Sequence, residues 1–556
     1  MEVISKKLNF KSSVGEKPYW RFFLFFTTCL IATPVLFITS YLFLPFSDSW
    51  SHLFETVLAD YVINSLFLML GVGFGTLFLG VGGAWLTAMC DFPGRKVFAW
   101  AFLLPLAMPA YIIAYTYTGI LDFAGPIQTA LRTLFDWNYG DYYFPNVRSL
   151  GGAICMLSLV LYPYVYMLTR LALSEQSTAI LEASRILGKT PWQSLFSVAL
   201  PMARPAIVAG VSLALMETLA DYGTVEFFGV STFTTGIFRT WYGLGELTTA
   251  AQLCSFLLLF VFLLIILENR SRSKLRFDQN KSIKKISKIR LSKWRAFFAV
   301  AFSVSVISLG FFIPAIQLLI WTINHWQHTL NSEFINLLIN SFTLAGASGF
   351  TCVIFAIFFA YSKRSFQTKS IKTVIGVAGL GYAVPGTVIA IGVLAPIAWF
   401  DNKLDYLSRM YFDMPLGLVI SGSMAILVFA YLVRFLSISL NTMDSGLSAI
   451  KPGIDESARS LGASKKNVLT KVHLPILKTS VLTAFLLVFV EVMKELPTTL
   501  ILRPFNFNTL AVKTYELASD ERLFDAALPA LSIVMISLLP ILLITKSIIS
   551  EKTQHG

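Results

Sequence analysis

Apolar residues run along this chain in blocks too long for ordinary buried helices, and polar segments separate the blocks at intervals. Residues 1–21 form a polar, basic tail, and the first apolar block runs from Phe22 to Leu44. A helix of about 20 residues crosses a bilayer core, so this block is long enough to span. It is too long for the apolar region of a cleaved leader and carries no small-residue cleavage site, so it predicts an uncleaved first span. Blocks near 62–89, 97–120, 150–172, 199–220 and 247–267 predict five more. A polar, basic linker covers 268–295, and six blocks follow near 296–321, 336–361, 373–398, 416–440, 474–493 and 526–547. The pattern predicts an all-α polytopic membrane protein of about twelve transmembrane helices. Residues 1–267 and 296–556 are its two six-span repeats.

The polar interruptions repeat as well. Glu182 to Pro201 reads EASRILGKTPWQSLFSVALP, and Glu456 to Pro475 reads ESARSLGASKKNVLTKVHLP. Glu456, Gly462, Ser464 and Pro475 follow Glu182, Gly188, Thr190 and Pro201 at one constant offset. Each stretch predicts a short helix, a break and a second helix. Glycine takes the left-handed position that closes the first helix. Thr190 or Ser464 caps the second, with Gln193 completing a capping box in the first copy. Asn64-Ser65 opens the second span and Asn340-Ser341 the eighth, and Pro109 and Pro385 stand as far apart as these two pairs. An even number of spans separates the halves. They therefore run the same way through the membrane, as parallel repeats about a pseudo-twofold axis along the membrane normal.

These two loops resemble the cytoplasmic EAA loop of permeases in binding-protein-dependent ABC importers. The resemblance implies that the first short helix of each loop is a coupling helix docking on an ATPase subunit. On this sequence it falls on Glu182, Ala183 and Gly188, and on Glu456, Ser457 and Gly462. It implies two permease subunits fused into one chain, with the pore between the halves. It also implies two partners: a cytoplasmic ATPase dimer and a periplasmic substrate-binding protein. ATP would be used by the partner, with no cofactor held permanently here. The nearest approach to a phosphate-binding loop, Gly188-Lys189-Thr190, has Ala183 where the earlier glycine is required and no buried strand before it.

Composition and charge narrow the class. Of 556 residues, 56% are hydrophobic and 13% charged, against about 25% charged in a soluble protein. The net charge of +13 would suit nucleic acid, but most of the 44 Lys and Arg residues fall in alternate, same-side segments. By the positive-inside rule, that bias places both termini and both loops in the cytoplasm of a bacterial inner-membrane protein. The linker run KSIKKISKIR is then a topology signal or an anionic-lipid contact. Five cysteines without CxxC spacing predict neither disulfides nor a metal site.

Four acidic residues are candidates for the substrate path, with a transient role as metal ligands. Glu217 and Asp221 end the fifth span, and Glu491 and Glu495 end the eleventh, at the same offset as the loops. Intramembrane carboxylates cost a few kcal/mol each, so four of them require compensation. One account is a path for a hard cation, which prefers oxygen ligands. The other is hydration near the outer end of the span, or pairing with Lys494 or Arg503. Glu217 lies about 24 Å along a helix from Pro201. The flanking segments, Glu217 to Gly243 and Lys494 to Arg522, resemble those of ferric-iron importer permeases, which implies ferric iron as cargo. Related permeases carry thiamine, polyamines, sulfate or molybdate. A secondary transporter also fits twelve spans with a parallel repeat, but it leaves the capped loops unexplained. His325 and His328 predict an interfacial polar patch. Trp137, Tyr139, Tyr142 and Tyr143 predict a membrane-surface aromatic belt or a contact for a binding protein or ferric ion.

Overall fold

The computed structural model describes residues 18–138, 140–176, 184, 186–273, 288–366 and 368–554. Among them, ten helices are long and apolar enough to cross a membrane, and two bent helix pairs make twelve if each pair is one span. The protein is all-helical apart from a two-residue parallel pairing of Cys90–Asp91 with Ile289–Arg290 among the described residues. That pairing joins the foot of the second span to the end of the linker.

The third and eleventh spans are broken rather than straight, as the apolar pattern alone would have them. Arg95–Ala107 meets Ala110–Phe135 at 92°, and Lys465–Ile476 meets Lys478–Lys494 at 75°. In the third span the break falls at Met108-Pro109, where proline drives the residue before it out of the helical region; Met108 is extended. Pro385 repeats the device between the turn Gly379–Ala383 and the helix Gly386–Phe412. Pro201 and Pro475 act differently. Each follows a π-helical turn, Leu195–Ala199 or Val468–His473. A proline removes one donor from the helix ladder, and a local π turn absorbs the loss.

The halves interlock through their first spans. Pro18–Ser40 packs on Lys369–Ala378 and Gly386–Phe412 of the second half. Trp20 donates to the Ser362 hydroxyl at 3.1 Å, and the Pro34 carbonyl approaches Gly392 too closely for any side chain there. Reciprocally, the seventh span, Lys293–Thr329, packs on first-half helices as well as on Leu523–Gln554. Tyr117 donates to the Leu309 carbonyl at 2.7 Å.

The repeated Asn-Ser pairs have a structural task. Asn64 Nδ2 donates to the Ser231 carbonyl at 3.0 Å, and the Ser65 hydroxyl accepts from Phe233 N at 3.3 Å. Asn340 and Ser341 do the same for Asn508 and Leu510, at 3.2 and 2.8 Å. Each pair pins the second short helix after the fifth or eleventh span, Phe233–Phe238 or Leu510–Ser519. Those helices fix the far end of the molecule, opposite the two loops. Cys90, Cys254 and Cys352 are buried; Cys29 and Cys155 are exposed, and all five are free thiols.

Candidate functional site

The fifth span ends at Ala220 and the eleventh at Lys494, so Asp221 and Glu495 lie just past their helices in extended conformation. In a continuous helix, a spacing of four would put both acids of each pair on one face. The helix stops before the second acid because that acid caps the next helix. Asp221 accepts from Thr224 N and Val225 N at 3.0 and 3.2 Å, starting Gly223–Phe227. Glu495 accepts from Thr498 N and Thr499 N at 3.0 and 3.2 Å, starting Pro497–Leu502.

All four acids line one cavity of about 120 Å³ between the halves. That is room for several waters. The first half contributes Glu217, Asp221 and the broken third span around Met108 and Tyr111. The second half contributes Glu491 and Glu495, together with Arg434 and Lys494. Tyr164 and Tyr382 bring their hydroxyls within 3.4 Å across the halves. Lys494 Nζ lies 3.5 Å from the first-half carbonyl of Leu106.

The carboxylates are not equivalent. Glu495 is saturated: besides the two backbone donors it receives Arg434 at 2.9 Å and the hydroxyls of Thr498 and Thr499 at 2.6 and 3.1 Å. Gly386 has no side chain because Arg434, Glu495 and Thr498 close on that position. Glu491 pairs with Lys494 at 2.8 Å. Glu217 shares the cavity wall with Arg434 and Glu491. Among the described residues, no three His, Cys, Asp or Glu are gathered tightly enough to hold a metal ion. Two of the four acids are committed to helix caps and two cations share the cavity. Arg503 pairs with Glu516 at 2.8 Å, not with the four. An arginine inside a predicted span was the sequence signal for the second-half cations, since it needs a partner.

The loops show the predicted caps. Gly188 and Gly462 have φ of +77° and +82°. Lys189 N bonds the Ser184 carbonyl, and Ala463 N the Ala458 carbonyl, at 3.1 and 3.0 Å. This is the six-residue closure of a glycine-ended helix. Thr190 and Gln193 form the reciprocal capping box, and Ser464 caps Asn467 N. Glu182 and Ala183 lie outside the described residues; Glu456 and Ser457 are exposed on Pro452–Ser460. Just before each glycine, Leu187 and Leu461 are 79% and 89% exposed.

Asp455 went unnoticed in the sequence. It accepts from Arg364 at 2.9 Å and meets His473 Nε2 at 2.8 Å. Burial works to raise its pKa, but the hydrogen bonds and charges of Arg364 and His473 prevail and hold the carboxyl below its usual value. Two residues with ring partners remain. His325 stacks on Phe524 at 4.8 Å, and Trp137 stacks on Phe135 and Tyr142. Tyr139 lies outside the described residues, and Tyr143 is exposed.

Comparison with known proteins agrees with this architecture. The family described as binding-protein-dependent transport system inner membrane component matches residues 77–276 and again 352–549. The chain is 26% identical over 501 residues to the Fe(3+)-transport system permease protein FbpB 2 of Haemophilus influenzae, covering 89% of this chain and 91% of that one. It is 25% identical over 464 residues to the ferric transport system permease protein FbpB of Actinobacillus pleuropneumoniae, covering 78% and 63%. The molybdenum transport system permease protein ModB of Escherichia coli is 28% identical over 174 residues, covering 31% of this chain and 71% of ModB. With two copies of the family's domain in one chain, the protein belongs to the inner-membrane permeases of binding-protein-dependent transport.

Proposed function

We propose that this ABC importer permease moves ferric iron from a periplasmic binding protein into the cytoplasm of a bacterium. The observation that carries the reading is the cavity shared by Glu217, Asp221, Glu491 and Glu495 at the junction of the halves. Carboxylate oxygens suit a hard cation. Acids outnumber bases there, and a cavity of that balance disfavours oxyanions. The ferric permeases above, similar over most of this chain, support the same cargo.

With the loops cytoplasmic, the exposed Leu187 and Leu461 and the glycine-closed helices beside them are the surfaces offered to an ATPase dimer. No ATP is used by this chain's own residues. ATP binding shifts the balance between inward-open and outward-open arrangements only through a difference in free energy between them. Glu217 and Glu491 are the acids free of helix-capping duty, and they offer the passing ion its transient oxygen ligands.

The test is reconstitution of the permease with candidate ATPase and binding proteins in vesicles. Ferric-loaded binding protein should stimulate ATP hydrolysis and iron uptake together. Stimulation by thiamine- or polyamine-loaded binding protein, with none by the ferric form, would overturn the cargo. Proton-driven uptake without any ATPase would overturn the coupling.

A further inference from the structure

The two loops share their caps but not their roots. At the second loop, Arg364 stands at the foot of Ser332–Ser365 and gives Nε and Nη2 to the Asp455 carboxylate at 2.9 and 3.1 Å. The same guanidinium donates to the carbonyls of Leu447 and Ile450, at the end of Met424–Ala449. Terminal carbonyls of a helix have no partner within it, so Arg364 caps that span. From the loop's second helix, the fully buried His473 meets Asp455 Oδ1, the oxygen that also accepts from Arg364 Nη2. Tyr361, one turn before Arg364, donates to the Lys465 carbonyl at 2.8 Å and meets the His473 ring edge-on. One cluster therefore ties the feet of two spans to both helices of the loop. Arg364 and Asp455 are each only 17% exposed, which shields their pairing from water.

The first loop has none of these groups at the matching positions. The repeat offsets put Leu181 opposite Asp455, Ala199 opposite His473, Ala88 opposite Arg364 and Trp85 opposite Tyr361. At the foot of the second span, Trp85 packs on Trp192 with ring centroids 4.7 Å apart. An aromatic contact is less directional than a forked, charge-assisted one, so its partners slide more readily.

We propose that Arg364, Asp455 and His473 form an ionic clamp. The clamp makes the second loop a rigid extension of spans Ser332–Ser365 and Met424–Ala449. The first loop follows its own spans with more play. The ATPase stroke then reaches the cavity chiefly through the second half, which also carries Arg434 and Lys494. The proposal rests on the coupling role given to the loops above. Its three residues position the docking helix and touch no cargo.

The experiment uses the full permease with its ATPase and binding protein in vesicles, and reads substrate transported per ATP hydrolysed. Asp455→Asn keeps the shape and removes the charge. It should lower that ratio at least threefold while ATP hydrolysis continues. Asp455→Glu, which can still pair, should recover most of it. Trp85→Leu, at the root of the first loop, should change it less than twofold. In the same complexes, amide hydrogen exchange across residues 452–460 should rise at least tenfold in Asp455→Asn. Should Asp455→Asn fail to accumulate, Arg364→Lys, which keeps the charge and loses the fork, is read in the same way. An unchanged transport ratio in the clamp variants, or an equal loss in Trp85→Leu, would overturn the clamp. A parental complex in which ATPase activity and transport are unlinked would instead overturn the coupling reading on which it rests.

Discussion

Asp221 and Glu495, at matching positions of the two repeats, perform one task twice: each carboxylate starts a short helix by accepting the N–H groups of the third and fourth residues after it. The longer side chain of Glu495 also reaches Arg434, whereas the first half has Val160 at the matching position. The two acids are therefore alike as caps and unlike as charges. Losing a cap costs about 1 kcal/mol. Breaking a buried ion pair costs about 3–5 kcal/mol, because the surviving charge stays buried. Glu495→Gln should thus lower the thermal stability of the purified permease far more than Asp221→Asn. Equal losses in a melting experiment would mean that the Arg434 pair adds nothing to the cap.

Gly188 and Gly462 hold positive φ in open surroundings, with no atom near the position of a Cβ. Substitution there meets no collision, so any cost is conformational. A β-branched residue is strained in the left-handed region by about 1–3 kcal/mol. Gly188→Val and Gly462→Val should reclose the first helix of each loop differently and misplace Leu187 or Leu461. The expected outcome is normal membrane insertion with at least a severalfold loss of ATPase co-purification. Full co-purification and full transport in both variants would refute a docking role for these turns.

Much of this was legible because it repeats. Asn64 with Asn340, Pro109 with Pro385, and Glu217 with Glu491 sit at nearly constant offsets; the first two pairs do matching work, and the two acids line one cavity. Hydropathy located the spans but not their breaks. Met108 in the third span and Leu477 in the eleventh mark breaks that do not interrupt the apolar run. The clamp was hidden for the opposite reason. Arg364, Asp455 and His473 occur in one half alone and are far apart in sequence, so neither repetition nor local spacing marks them. The commitment of Asp221 and Glu495 to caps was equally hidden, since it depends on where the helix stops.

Acid should release the clamp in a definite direction. Asp455 has a folded pKa below its ordinary value, with burial opposed and outweighed by Arg364 and His473. A depressed carboxyl stabilises the fold fully above its unfolded pKa of about 3.9 and loses that contribution as pH falls through the lower folded value. The stability difference between the parental chain and Asp455→Asn should therefore shrink as pH falls below about 4. Chemical or thermal unfolding at a series of pH values measures it. A difference that grows below about pH 4 would reverse the sign and refute the assignment.

The four cavity acids call for separation, not joint removal. Replacing all four would delete two helix caps and leave Arg434 buried without its partner, so failure to assemble would say nothing about transport. Glu217 and Glu491 stand outside those structural duties, and they occupy matching positions on the two halves. Glu217→Gln and Glu491→Gln keep size and hydrogen-bonding capacity but remove charge. Glu491→Gln also frees Lys494, a partly buried cation, to face the cavity, and so should impair a passing cation more than Glu217→Gln. Each single variant should slow ferric uptake severalfold. The double variant should slow it at least tenfold, about 1.4 kcal/mol in the rate-limiting barrier. Membrane abundance and ATP hydrolysis stimulated by loaded binding protein should remain near the parental level, because the caps and loops are untouched. Ferric uptake at the parental rate in the double variant would remove these carboxylates from the path. Loss of the protein from the membrane in the single variants would make them structural instead.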